Sequence, residues 1–522
     1  MSSRRDFLKT VILSSGAVFS GLPLGCGDSK VKPNQDFQKL VATIPELSQR
    51  SLLFERAHKF LRESKNVSIT PGNTIECDVV IVGGGPSGLT AAMYLIKCGY
   101  KVIVVENEER AGGAAISGKY KDISFPLASI YFVDFNQTIK ELCEYAQVTP
   151  VQAPVDGLLY RGNKYIDHWK DSVLTTLPLQ QKEKDSLKQF RDDILKIKEL
   201  PLYPLPDRLT KDNIALDAMS VREYCLKYKS EFLNQFVNLY TRSSMGGSID
   251  ETNAYCFLNF YASEIGMDVK TPRYTFYGGL NGITGALARK IGNQHFLYGN
   301  LCLHLENTSS GVSALTVDVN EHVTKINAKF AVVASQKFMI PSLIPSLPDE
   351  QKQAMRLIRY SPYLTVHLCA DKDILGDSVF DTWLFDSPLL GTDIIDPQSV
   401  GQKSTQGAFV ASVYSPRPHN ERGALQSSEV VASLSRKIAD NVTSQLGKGA
   451  KEAVKEIQSF AWGHSLVTAA PKSHNGIAQT ARKTFKNIHF ANTDNDCSPA
   501  FENAVQHGQL AAEAIISKLK NR

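Results

Sequence analysis

Three glycines and an acid supply the first chemistry in this chain. Gly83, Gly85 and Gly88 stand in the order G-x-G-x-x-G, after the apolar run Asp78-Val-Val-Ile-Val and before Leu89-Thr-Ala-Ala-Met-Tyr-Leu-Ile. A backbone that turns at Gly83, nears a pyrophosphate at Gly85 and lets helix touch strand at Gly88 is the entry to a dinucleotide site. The helix opening around Ser87 turns free N–H groups and a partial positive charge toward phosphates. A second strand, Lys101-Val-Ile-Val-Val, ends in Glu106, 18 residues after Gly88. That is the offset at which a carboxylate meets ribose hydroxyls.

The next residues, Glu106-Asn-Glu-Glu-Arg110-Ala-Gly112-Gly113, resemble the E-x-x-x-R-x-G-G signature of an FAD-binding family. That family includes flavin amine oxidases, phytoene desaturases and protoporphyrinogen oxidases; simple NAD dehydrogenases lack the signature. Two later segments resemble the same family: Tyr277-Gly278-Gly279-Leu280 with its following helix, and the strand Phe330-Ala-Val-Val-Ala-Ser335. The tail does so again. Phe490-Ala-Asn492-Thr-Asp494 with Glu502-Asn503-Ala504-Val505 and Gly508 resembles F-A-G-[DE]…E-G-A-V-x-S-G, with Asn at two Gly positions. Either Asn tolerates left-handed backbone angles, which would keep the turn. The resemblance implies one FAD held by Gly83, Gly85, Ser87, Gly88, Glu106, Arg110, Gly112 and Gly113 from the front. Asp494 on the ribityl chain and the backbone at Ala504 and Val505 hold it from the back.

The implied fold class is α/β: a Rossmann-like FAD-binding domain with a doubly wound parallel sheet, and an inserted α+β substrate domain. The cofactor domain is expected to collect 75–125, 271–345 and 478–522. The substrate domain or cap collects 126–270 and 346–477, the earlier part rich in helix patterns. Ser220-Val-Arg-Glu223 reads as a capping box whose helix runs towards Tyr240. Leu301–Glu306 and Gly311–Val319 read as a hairpin, and Val430–Leu446 as an amphipathic helix.

A flavin performs hydride chemistry itself, so few acid–base groups are expected. In relatives a Trp…Pro segment just before the final strand lines the flavin. Here it is Ala461-Trp462-Gly463-His464-Ser465-Leu466 up to Pro471. Trp462 would wall the pocket and His464 accept a proton near neutral pH; the plain alternative is that both only pack. Ser465 stands where monoamine oxidases carry a flavin-linking Cys, Leu466 and Ala500 where they carry the two cage aromatics, with Phe501 adjacent. The strand Tyr363–Leu368, where many oxidases have a Lys, offers Thr365 and His367 instead. These departures favour a dehydrogenase using a quinone or an exported carrier over an O₂-using amine oxidase. Two other readings stay open: a desaturase or isomerase of apolar, carotenoid-like substrates, and a non-catalytic flavoprotein.

The 522 residues allow two to three cores, and 43% apolar with 21% charged residues is ordinary for globular protein. The net charge of +5 with no basic stripe argues against nucleic acid, and no internal run is long enough to span a membrane. Ser3-Arg4-Arg5-Asp6-Phe7-Leu8-Lys9 and the apolar stretch to Leu24 resemble a twin-arginine export signal. That route carries folded, cofactor-loaded proteins to the periplasm. Leu22-Pro-Leu-Gly25-Cys26 resembles a lipoprotein box, with Pro23 atypical, which leaves lipidation of Cys26 open. Residues 27–74 form an N-terminal extension, with an amphipathic helix around Ser51–Glu63. The nine Cys contain no C-x-x-C pair, so no metal site is expected, and Cys77, Cys302 and Cys369 read as small core residues.

Overall fold

The computed structural model describes residues 57–58 and 71–521, apart from 134, 198, 200, 266–271, 378 and 388–389. The export segment, Cys26 and nearly all of the expected N-terminal helix lie outside the described residues. Two seven-stranded sheets organise the rest. In chain order their strands are β1 (Asn73–Val82), β2 (Val102–Val105), β3 (Gly157–Tyr160), β4 (Asn163–Ile166), β5 (Phe296–Leu297), β6 (Leu301–Asn307) and β7 (Val312–Val317). There follow β8 (Val323–Val333), β9 (Tyr360–Ala370), β10 (Asp381–Leu384), β11 (Asp393–Ile395), β12 (Phe409–Pro416), β13 (Val454–Val467) and β14 (Ile488–Phe490).

The first sheet runs β6-β7-β8-β1-β2-β5, with β14 also on β8. Val79 of β1 pairs with Val102 of β2 and with Phe330 of β8, both in parallel. β6 and β7 form the expected antiparallel hairpin, Leu301 opposite Val317. Both faces of β1 and β2 are apolar because both are covered. Val79, Ile81, Val102 and Val104 pack under α1 (Pro86–Lys97) and the C-terminal helix. Val80, Val82, Ile103 and Val105 pack against Leu343, Ile344 and Met355 on the other side.

The second sheet runs β13-β9-β12-β11-β10-β3-β4. It is antiparallel except where β10 meets β3, Thr382 opposite Gly157. Two helices flank it: α2 (Glu231–Met245) and α3 (Ser428–Leu446), the latter within two residues of expectation. The stretch read as mainly helical thus contributes two strands, β3 and β4, each four residues long and too short for a legible alternation. The Ser220 capping box forms, yet its helix ends at Cys225. Lys229 takes a left-handed φ of 50°, and Ser230 caps α2 afresh. The eight described cysteines are free thiols, Cys302 and Cys369 buried, Cys77 half-buried. Among the described residues no helix is long and apolar enough to cross a membrane.

Candidate active site

Beginning and tail of the chain meet at the glycine loop. Gly83 takes φ +106°, and its amide donates to Val105 O at 2.9 Å. A Cβ on Gly88 would stand 1.9 Å from Gly83 O, so only Gly lets α1 start here. Gly85 caps α1 without a side-chain bond, Pro86 follows, and no acid occupies the first turn. A Cβ on Gly85 would meet Gly113 Cα at 3.7 Å, an ordinary contact, so the two glycines lie against each other with no side chain between them. The C-terminal helix α4 (Phe501–Lys520) crosses α1 closely. Ser87 Oγ donates to Ala504 O at 2.6 Å, and a Cβ on Gly508 would lie 2.3 Å from Ser87 O. Ala504 and Val505 are buried in this contact.

Glu106 ends β2 as expected. Its Oε2 accepts from the Gly84 amide at 2.7 Å and Oε1 from the Glu108 amide at 2.9 Å, so it also braces the loop. The Gly112 amide donates to Gly84 O at 2.8 Å, and Gly113 abuts Gly85. Arg110 is exposed; it donates to Ser117 O at 3.2 Å and holds its own turn.

Asp494 also has a role within the protein. It is 2% exposed, and its Oδ2 accepts from the Lys337 amide at 2.9 Å and from the Tyr360 hydroxyl. Thr493 Oγ1 donates to Oδ1 at 3.3 Å. The carboxylate therefore pins the turn after β8 through Oδ2, while Oδ1 meets Thr493 alone among the described contacts. Counted from Phe490, the acid position of F-A-G-[DE] is Thr493, which is half-buried. Neither Asn uses a left-handed angle. Asn492 is extended at φ −165°, its Nδ2 donating to Ser335 O at 2.6 Å, and Asn503 lies inside the first turn of α4. Lys337 escapes any reading of the sequence as a buried group. It is 0% exposed, with Nζ 3.1 Å from Asn492 Oδ1 and 2.6 Å from Asn495 Oδ1. Burial pushes its ammonium down to about 8, against the pull of Asp494.

A cavity of about 430 Å³ opens beside the start of α4. Ser465, Leu466, Ala500 and Phe501 line one part of it; Tyr363, Tyr414, Asp381 and Asp393 line another. Trp462 and His464 do not line it. The segment is strand, not loop. Trp462 sits opposite Tyr363 and Leu466 opposite Ser361, four residues against two. This bulge turns both Ser465 and Leu466 to the cavity. Trp462 Nε1 donates to Leu127 O at 3.1 Å, and its ring packs on Phe460 at 4.7 Å. His464 stacks on Phe338 at 4.2 Å. Burial, with Arg422 nearby, pushes its imidazole down to about 3, far from the neutral-pH base expected. Thr365 donates to Leu127 O and His367 meets Ser412 Oγ at 2.8 Å; both are fully buried, and Tyr363 is the cavity residue of that strand.

The two acids were missed. Asp381 and Asp393 open short apolar runs and read like turn residues. Both are 2% exposed. Arg273, paired with Asp156, has Nη1 4.0 Å from Asp381. On Asp393 the groups that favour the charged form are the hydroxyls of Thr392 and Ser243, and burial outweighs them, raising its carboxyl to about 6.

The model of the family described as flavin containing amine oxidoreductase matches residues 86–516. The chain belongs to that family. FAD is its cofactor. Oxidoreductase PigB of Serratia sp. is 24% identical over 295 residues, 52% of this chain and 42% of that protein. "Probable flavin-containing monoamine oxidase A" of Dictyostelium discoideum is 26% identical over 313 residues, 56% of this chain and 65% of that protein. The matches thus span under two thirds of either relative. Among solved structures, cyclohexylamine oxidase from Brevibacterium oxydans shares the fold with a TM-score of 0.69 at 19% identity, covering 85% of this chain and 99% of that one. The residues present fit the cofactor. At Gly85 the loop carries no side chain, and Asn107 Oδ1, Ser335 Oγ and Asn503 Nδ2 are buried polar atoms with no partner among the described residues.

Proposed function

We propose that the protein is an exported oxidoreductase that oxidises a small organic amine carrying a second positive charge. The electrons pass to a quinone or a periplasmic carrier. The reading rests above all on Asp393. A carboxylate buried with only hydroxyls to favour its charge is costly unless a cation arrives, and the cavity is where one would arrive. β13, with Ser465 and Leu466, is three strand spacings from β11, about 14 Å at ~4.8 Å each. The cation at Asp393 is therefore a different group from the amine that reacts beside α4. Bound FAD supplies the hydride acceptor, N5. The chain does the rest. The α1 amides and Glu106 hold the nucleotide end, and Thr493 takes the ribityl role first given to Asp494. Leu466, Ala500 and Phe501 shield the reacting carbon from water. Asp393 sets how far the substrate enters. Ser465 has no thiol to bond the flavin, so the cofactor is held without a covalent link.

A tunnel for carotenoid-like substrates would leave Asp393 with no ligand charge to meet, which favours the amine reading. Anaerobic flavin bleaching tests it. Diamines should reduce the flavin faster than monoamines of equal length. Bleaching by polyenes or fatty acids but not by amines would overturn it.

A further inference from the structure

We infer that Asn503 is a direct ligand of the flavin. The idea rests on FAD being the cofactor, which the wild-type protein's flavin content checks by itself. Asn503 stands in the first turn of α4, where the family pattern has the Gly of E-G-A-V. It is 3% exposed and lines the cavity together with Ser465, Leu466 and Ala500. Its amide nitrogen, Nδ2, has no hydrogen-bond partner among the described residues.

Burying an amide donor with nothing to accept from it is costly, and native proteins seldom carry such groups. The helix does not need this side chain, since the family position is Gly. The donor is therefore placed for an acceptor that arrives with a ligand.

Position narrows which ligand. α4 spans 20 residues, and no side chain caps its N-terminus at Ala500. The only carboxylate of its first turn, Glu502, is turned to the Val133 amide at 2.6 Å. Helix N-terminus and amide donor thus add up on one spot, favouring an acceptor that becomes more negative. A flavin gains electron density on its oxygens and ring nitrogens as it takes up a hydride, whereas an amine substrate loses density. The donor thus stabilises the reduced flavin more than the oxidised one, and lifts the two-electron potential.

The test compares the wild-type holoenzyme with Asn503→Gly, which restores the family residue, and Asn503→Asp, which keeps the shape but replaces donor by acceptor. The potential is measured by dye equilibration without substrate, and FAD retention by dilution. Expected for Asn503→Gly is about a tenfold loss of preference for reduced over oxidised flavin, a drop of about 30 mV for two electrons. FAD should also be released faster. Asn503→Asp should fall further, or fail to hold FAD. A Gly variant with wild-type potential and wild-type FAD retention would overturn the inference. So would a change confined to the KM for substrate, which would assign the donor to the substrate instead.

Discussion

Replacing Asp393 by Asn is the perturbation whose sign separates a ligand-binding carboxylate from a structural one. Its carboxyl ordinarily titrates at 3.8 and is raised to about 6 in the fold. Below pH 4 the group is protonated whether the chain is folded or not, and contributes nothing. Between 4 and 6 the folded state holds a proton that the unfolded state has released, so stability falls as pH rises. Above 6 the loss is complete. A difference of about two pH units at 1.36 kcal/mol each bounds it at about 3 kcal/mol. Asn keeps the shape and can still accept from Thr392, and it removes the charge. Asp393→Asn should therefore raise the urea midpoint at pH 8, by up to about 3 kcal/mol of stability, and leave it nearly unchanged at pH 4. In parallel the diamine concentration for half-maximal flavin bleaching should rise at least tenfold at pH 8. The combination, a more stable protein that binds its substrate worse, marks a site held under strain for function. A variant less stable at pH 8, or equally shifted at both pH values, would show that Asp393 is satisfied within the protein and would remove the main support for a cationic substrate.

Other outcomes follow from single contacts. Gly85→Val should abolish flavin content, because its side chain would fill the space left for the pyrophosphate; a fully yellow variant would refute that placement. Gly508→Val should force α4 from α1 and cost about 1–3 kcal/mol or more, with FAD lost first, as read by urea unfolding and the flavin spectrum. Trichloroacetic acid should release all the FAD into the supernatant, since Ser465 cannot form a thioether; flavin left on the precipitate would contradict this. Arg4→Lys with Arg5→Lys should keep the protein out of the periplasm, as followed by fractionation.

What could be read from the sequence was whatever local chemistry forces. Gly88 and Glu106 are tied to backbone atoms a few residues to about twenty away, as is the amide of Gly83, so their types and spacing carry the geometry with them. The tail was legible for a related reason: Gly508 is the only residue that fits against Ser87 O, and a small residue recurring in a helix shows without the partner. The errors arose where partners are remote. Asp494 was given the ribityl chain by resemblance to F-A-G-[DE], and nothing near it in the chain shows that its Oδ2 also serves Lys337, 157 residues away, and Tyr360, 134 away. His464 was credited with a neutral pKa since nothing in the chain reveals Phe338 against it. Trp462 was placed on the flavin because a bulge against β9, which decides which residues of the segment face inward, has no sign in the segment itself. Asp393 shows the general case. Gly391 and Thr392 before it read as a turn and Ile394-Ile395 after it as a short run, and only assembly of β11 between β12 and β10 makes it a buried charge. Cofactor sites built on backbone therefore survive as spacing, whereas a substrate site built from side chains of separate strands leaves no trace until the strands are laid together. The substrate is the part of the function that had to be read from Asp393 and its neighbours.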